Sequence, residues 1–189
     1  RRTVALMPAA QGAQVWAPAG SGLSALGDET RLPFMDSVFD RVLLVHALEE
    51  AENTQAFLRE VWRVTAPEGR IVLAAANRAG LWSRATQTPF GQGRPWTRNQ
   101  LSKLLSGGLF QVTASSSALF MPPLASGLVT SAAEGWEVIG RMFMPGLGGV
   151  VLIEAVKRLY APPGGGAAAP VTERIRLARP AQASRRGEH

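Results

Sequence analysis

Only one of the two histidines in this 189-residue sequence sits where a side chain of near-neutral pKa has chemical use. His46 directly follows the apolar run Val42 to Val45, and the carboxyl end of a strand is where open α/β sheets place their ligands. Two roles are open to it: exchanging a proton, or forming a pocket wall without one. His189 closes the chain and has no comparable neighbourhood. Glu49, Glu50 and Glu52 follow closely; as a set they suggest an acid pair or a metal site, but no second cluster of acids or histidines completes a coordination sphere, so no metal is expected. The alternative is that they face the positive end of a helix beginning near Asn53, a good amino-terminal cap. Trp82 and Trp96 lie in a connection rich in glycine and proline, where a planar ring either stacks on a planar acceptor or packs. Gly20 and Gly22 mark a turn and match no phosphate-binding loop. The absence of cysteine removes thiolate zinc sites, cysteine nucleophiles and disulfides from consideration.

Elements that position these groups follow from periodicity. Val42 to Val45 is the short continuous apolar run expected of a parallel strand covered on both faces. Phe57, Leu58, Val61, Trp62 and Thr65 recur at helical spacing, while Arg59, Glu60 and Arg63 carry the other face. Ala66-Pro67-Glu68-Gly69 is expected to stop that helix, and Ile71 to Ala76 is the next strand, parallel to the first. Asp40 is placed just ahead of the strand at Val42. Further strands are expected at Thr3 to Met7, Leu23 to Leu26, Leu109 to Ala114 and Gly148 to Val156. Helices are expected from Arg98 to about Ser106, capped by Thr97 and stopped at Gly107-Gly108, and from Trp136 to Phe143.

Three pieces occur in order: Gly27-Asp28 with Leu32-Pro33-Phe34, Phe39-Asp40 with Val42, and Leu58-Arg59-Glu60 with Arg63-Val64, Pro67, Gly69-Arg70, Val72 and Leu73. Together they make residues 3 to 157 similar to the class I S-adenosylmethionine-dependent methyltransferases, in particular the type 11 group. The resemblance implies a Rossmann-like, doubly wound α/β sheet, mostly parallel, with an antiparallel last strand inserted beside its neighbour. It also implies that the central first strand and its glycine-rich loop are missing, so that the chain is an amino-terminally truncated fragment with two open strand edges. The cofactor is then S-adenosylmethionine. Met7 stands where the family usually has an acid for the ribose hydroxyls; Asp28 accepts from the adenine amino group and Glu29 offers its backbone amide. Val45 and His46 line the methionine and substrate side, and Trp82 and Trp96 help cover a small-molecule acceptor. No residue stands out as a catalyst. The alternative from a different class is a methyltransferase-like binding or scaffolding protein without turnover.

Composition agrees with one domain. With 46% hydrophobic residues the chain can bury a core, expected over 1–158. Residues 159–189 change abruptly to a Pro, Gly, Ala and Arg-rich tail, expected to be disordered. The net charge of +6 is concentrated there, where six arginines from Arg158 onward face two glutamates, so the body carries little attraction for nucleic acid. No apolar run is long enough to span a membrane and no signal-peptide core is present, which places the expected protein in the cytoplasm.

Overall fold

The computed structural model describes residues 3–8, 23–84, 93–121, 133–144 and 146–159. In chain order its elements are β1 (Val4–Pro8), β2 (Leu23–Gly27), β3 (Phe39–Val45), α1 (Ala47–Glu50), α2 (Thr54–Val64), β4 (Thr65–Ala76), a single 3-10 turn (Trp82–Arg84), α3 (Arg98–Gly107), β5 (Phe110–Ala118), α4 (Ala133–Phe143) and β6 (Val150–Lys157). β1 and β2 form a parallel pair, and the other strands form a second sheet in the order β3-β4-β6-β5. β3 and β4 are parallel, whereas β6 runs antiparallel to both β4 and β5. The antiparallel last strand is therefore inserted between its neighbours as expected, and the sheet divides between β1 and β3.

The second sheet is dry on one face because α2 and α3 lie there. α2 starts where the Asn53 side chain accepts from Ala56 N at 3.0 Å, and it buries Phe57, Leu58, Val61 and Val64. α3 starts with a reciprocal capping box between Thr97 and Gln100 and buries Leu101 and Leu105. These side chains meet Ile71 and Leu73 of β4 and Ile153 and Ala155 of β6, all fully buried. β1 and β2 have no fully buried residue and join this core through the half-buried Leu6.

The junction between α2 and β4 departs from the expected stop-and-loop. α2 ends at Val64 and β4 begins at the next residue, because the Thr65 N–H and hydroxyl both donate to Val61 O while Thr65 pairs with Phe39 of β3. Ala66 to Gly69 instead form a bulge within β4, where the register slips between Phe39 and Arg41. A bulge tolerates Pro67, which has no N–H to give a ladder. Glu68, not the glycine, takes the left-handed conformation (φ 58°). Gly69 is needed for space, since a Cβ there would lie 2.7 Å from Ala66 O and Thr65 Cγ2. Asp40 consequently lies inside β3, opposite the bulge, rather than ahead of the strand.

β6 is tied to the same junction. Lys157 is buried, its Nζ donates to Trp62 O and Thr65 O at 2.7 Å each, and it sits 3.8 Å from the centre of the Trp62 ring. Burial holds its pKa below the ordinary lysine value. α4 is placed differently: Val138, Ile139, Met142 and Phe143 are exposed. Among the described residues, no helix is long and apolar enough to cross a membrane. The expected tail beyond residue 159 and the turn at Gly20 and Gly22 lie outside the described residues.

Candidate functional site

The candidate site lies at the carboxyl ends of β3 and β4. β3 delivers Val45, which is exposed, and then His46, whose N–H donates to Ala74 O at 2.9 Å. His46 adopts a left-handed backbone (φ 52°), a conformation costing a non-glycine residue about 1 kcal/mol. That turn lifts the chain out of the sheet into α1. Leu48 of α1 enters the core, and beside it Glu49 is buried.

Glu49 does not face the start of α2. Its Oε1 accepts from the N–H of Ala76, the last residue of β4, at 2.6 Å and lies 2.7 Å from His46 Nδ1. Its Oε2 is buried without a hydrogen-bond partner among the described residues. The last amide of β4 needs an acceptor, and α1 folds back to supply one. The His46 imidazole, about two-fifths exposed, has its pKa raised, chiefly by the hydrogen bond to Glu49; burial acts against this and the Glu49 charge adds to it. The segment 93–96 closes over α1: Arg94 N donates to Glu49 O at 3.2 Å, and Trp96 N donates to Ala76 O at 2.9 Å. Gly93 (φ 74°) is packed against Glu49 and Glu50, in a backbone conformation that strains any residue with a side chain.

The loop after β2 arrives from the other side. Asp28 Oδ1 accepts from both the backbone N–H and the hydroxyl of Thr30 at 2.7 Å, which holds the Asp28 pKa below its ordinary value. Glu29 Oε1 accepts from Glu52 N at 3.1 Å, tying this loop to the link between α1 and α2. Residues 32–36 are gripped by α2. Arg63 donates to Phe34 O (2.8 Å), Leu32 O (3.0 Å) and Asp36 Oδ1 (2.6 Å), and Glu60 Oε2 accepts from Leu32 N (2.9 Å). Arg63 is itself oriented by Glu60, at 2.9 and 2.7 Å. Helical periodicity puts both residues on the polar face but carries no signal of this grip, since their partners lie far away in sequence.

Val45, His46 and Glu49 thus lie together at the end of β3, Glu29 reaches the link after α1 through Glu52 N, and Asp28 is held by Thr30. Met7 is the penultimate residue of β1, paired with Leu26 and half-buried, and its side chain carries no oxygen. Trp82 packs its ring on Gly149 and donates Nε1–H to Met121 O at 2.6 Å. Trp96 packs against the core, and its Nε1 is buried with no partner among the described residues. Beyond the end of β4 lies a cleft of about 260 Å³ lined by Asn77, Thr97, Arg98, Ser117 and Val151 among others. Arg98 Nη2 donates there to Ser117 Oγ at 2.8 Å. Among the described residues, no group of three His, Asp or Glu side chains could hold a metal ion.

Comparison with known proteins points in one direction. Residues 7–73 match the family described as a methyltransferase domain. A demethylmenaquinone methyltransferase of Streptomyces griseus is 42% identical over 64 residues, 34% of this chain and 25% of its own length. One of Mycolicibacterium paratuberculosis is 55% identical over 47 residues, 25% of this chain and 20% of its length. The chain thus aligns with about a quarter of the length of the curated relatives it matches. In fold, it is similar to a Thermotoga maritima protein described as an S-adenosylmethionine-dependent methyltransferase and possible histamine N-methyltransferase. That similarity has a TM-score of 0.57 at 17% identity, covering 73% of this chain and 65% of that one. The architecture is the Rossmann-like α/β fold of such proteins.

Proposed function

We propose that this chain, whose residues 7–73 match the methyltransferase-domain family, directs a methyl group from S-adenosylmethionine to a small-molecule acceptor. The observation that supports the reading is that Val45 and His46 end a parallel strand, where a doubly wound sheet binds its ligand, while the loop of Asp28 and Glu29 is tied to the link after α1 through Glu52. The match to relatives named for a small molecule supports the acceptor class.

The chain's residues fit the methyl donor at its nucleoside base. Asp28 Oδ1 is occupied by Thr30, which fixes the carboxylate in place and leaves Oδ2 to accept from an exocyclic amine. Glu29, held by Glu52, fixes the backbone that follows. At the ribose, the Met7 side chain has no oxygen to accept from a hydroxyl, so recognition there falls to backbone groups or water. When bound, the donor supplies a methyl group on a sulfonium centre. The protein's part is to align acceptor and methyl carbon and to exclude water. Arg63 and Glu60 serve that alignment by holding residues 32–36 against α2. We assign the protein to the cytoplasm and give nucleic acid no part in its function.

Met7 also favours a second reading, a methyltransferase-like binding protein without turnover. Calorimetric titration of S-adenosylhomocysteine into the chain separates the two. Binding that weakens about ten-fold in Asp28→Ala supports the first, since hydrogen bonds to a charged group are worth about 1.5–3 kcal/mol. No binding of this product or of S-adenosylmethionine favours the second.

A further inference from the structure

We propose, independently of the methyl-transfer reading, that α4 and the basic turn beside it at the end of β4 form a docking surface for an anionic lipid bilayer.

α4 is amphipathic in the inverse sense. A surface helix ordinarily turns its apolar stripe to the core and its polar residues to water. Val138, Ile139, Met142 and Phe143 share one face by helical spacing, and they are between 51% and 72% exposed. The side that meets the protein is small and polar instead. Gly140 is buried there, with so little room that a Cβ would lie 2.3 Å from Phe120 Cβ, and Glu137 Oε1 accepts from Phe120 N at 2.7 Å. Both contacts hold the apolar stripe outward. Met144 and Leu147 continue the exposed apolar surface past the end of the helix.

Charge beside the helix has one sign. Between Glu68 and Glu134 the sequence has no aspartate or glutamate, yet it carries Arg70, Arg78, Arg84, Arg94, Arg98 and Lys103. Arg78, Arg84 and Arg94 are exposed, and none of the three has an ion pair among the described residues. Hydrogen bonds gather them: Arg78 N donates to Trp96 O at 3.0 Å and Arg78 Nε to Pro95 O at 3.1 Å, while Arg84 N donates to Leu81 O at 3.2 Å. The segment between α4 and β6 fastens onto the same turn. Asn77 Nδ2 donates to Gly146 O at 2.9 Å and to Gly148 O at 2.7 Å, and a Cβ on Gly80 would lie 2.7 Å from Gly148 O. Apolar and cationic side chains therefore share one end of the sheet, where Leu81 is also exposed.

This pairing selects the partner. Interfacial binding adds buried apolar area to the attraction between cations and anionic headgroups, and the two components stand side by side here. A second copy of the chain would cover the apolar face but bring cation against cation. A nucleic acid would satisfy the cations and leave four apolar side chains in water. A bilayer takes both, and it needs no complementary groove because acyl chains mould to the side chains that enter them. With 11 residues, α4 is too short to span and lies in the plane of the headgroups.

Co-sedimentation of the full chain with vesicles tests the surface, using phosphatidylcholine alone and phosphatidylcholine with about one-third phosphatidylglycerol. Binding is expected on the anionic vesicles and should fall steeply between about 0.05 and 0.5 M salt. Arg84→Gln combined with Arg94→Gln removes two side chains that make no hydrogen bond among the described residues. That variant is expected to bind about 20-fold more weakly, near five-fold for each cation. Met142→Ser combined with Phe143→Ser is expected to bind at least about ten-fold more weakly. Both variants should melt with the parent chain, since every substituted side chain is exposed. Lipids brominated on the acyl chain are expected to quench tryptophan emission, and Trp136→Phe to remove most of that quenching. Absence of binding to the anionic vesicles overturns the proposal. So does binding that both double variants keep, which would belong to the arginines beyond residue 158. Self-association or binding of poly(U) RNA in place of vesicle binding overturns it as well.

Discussion

β1–β2 and β3–β4 are both parallel pairs of largely apolar strands, yet only the second has a dry interior. Ile71 and Leu73 of β4 are fully buried, while Leu23 and Leu26 of β2 are about half exposed. Hydrogen-bonded pairing is common to both, so pairing does not explain the difference. What differs is the cover: α2 and α3 close one face of the larger sheet, and β6 adds a second ladder to β4. The smaller pair holds its place through Leu6 and through the polar grip of Glu60 and Arg63 on the loop after β2. One half of the site is thus fixed by the hydrophobic effect and the other by hydrogen bonds.

That contrast is open to direct attack. The largest effect is expected from Ile153→Ala, which should lower unfolding free energy in urea by about 2–5 kcal/mol, whereas Leu26→Ala should change it by about 0.5 kcal/mol or less. Equal losses would break the comparison. Gly69→Ala comes next, at about 1–3 kcal/mol by thermal melt, because its Cβ meets Ala66 O and Thr65 Cγ2 at 2.7 Å. The smallest global effect belongs to Arg63→Met. It should leave the urea midpoint nearly unchanged while raising tryptic cleavage after Arg31 about ten-fold, as expected of local opening. The grip also has a pH signature. The Glu60 pKa lies below its ordinary value of 4.5, chiefly through its hydrogen bond to Arg63. Its contribution is therefore complete above 4.5 and lost as pH falls through the depressed value.

The dry half was largely legible in the sequence. Helical spacing from Phe57 to Val64, the caps Asn53 and Thr97, and the apolar run from Ile71 are local signals, and each element lies where its signal puts it. The bulge at Ala66 to Gly69 was not, because proline and glycine have the same appearance in a loop as in a strand whose ladder slips. Glu49 was misplaced for a different reason. Its partner Ala76 N belongs to another strand, and nothing in a run of three acids says which of them will be buried. Arg63 and Glu60 escaped in the same way. Of the two roles open to Trp96, packing is the one its surroundings fill.

β6 is the last of the described strands and lies between β4 and β5, with Lys157 reaching over to the carbonyls at the end of α2. A ribosome releases β4 and β5 well before residue 157, so the nascent chain must hold two unpaired ladders apart until their shared neighbour emerges. At about 5–20 residues per second that interval lasts seconds, long compared with hairpin formation. The order of synthesis thus makes the newborn chain most prone to mispairing just before its sheet is complete, and most dependent on whatever shields bare strand edges in the cell.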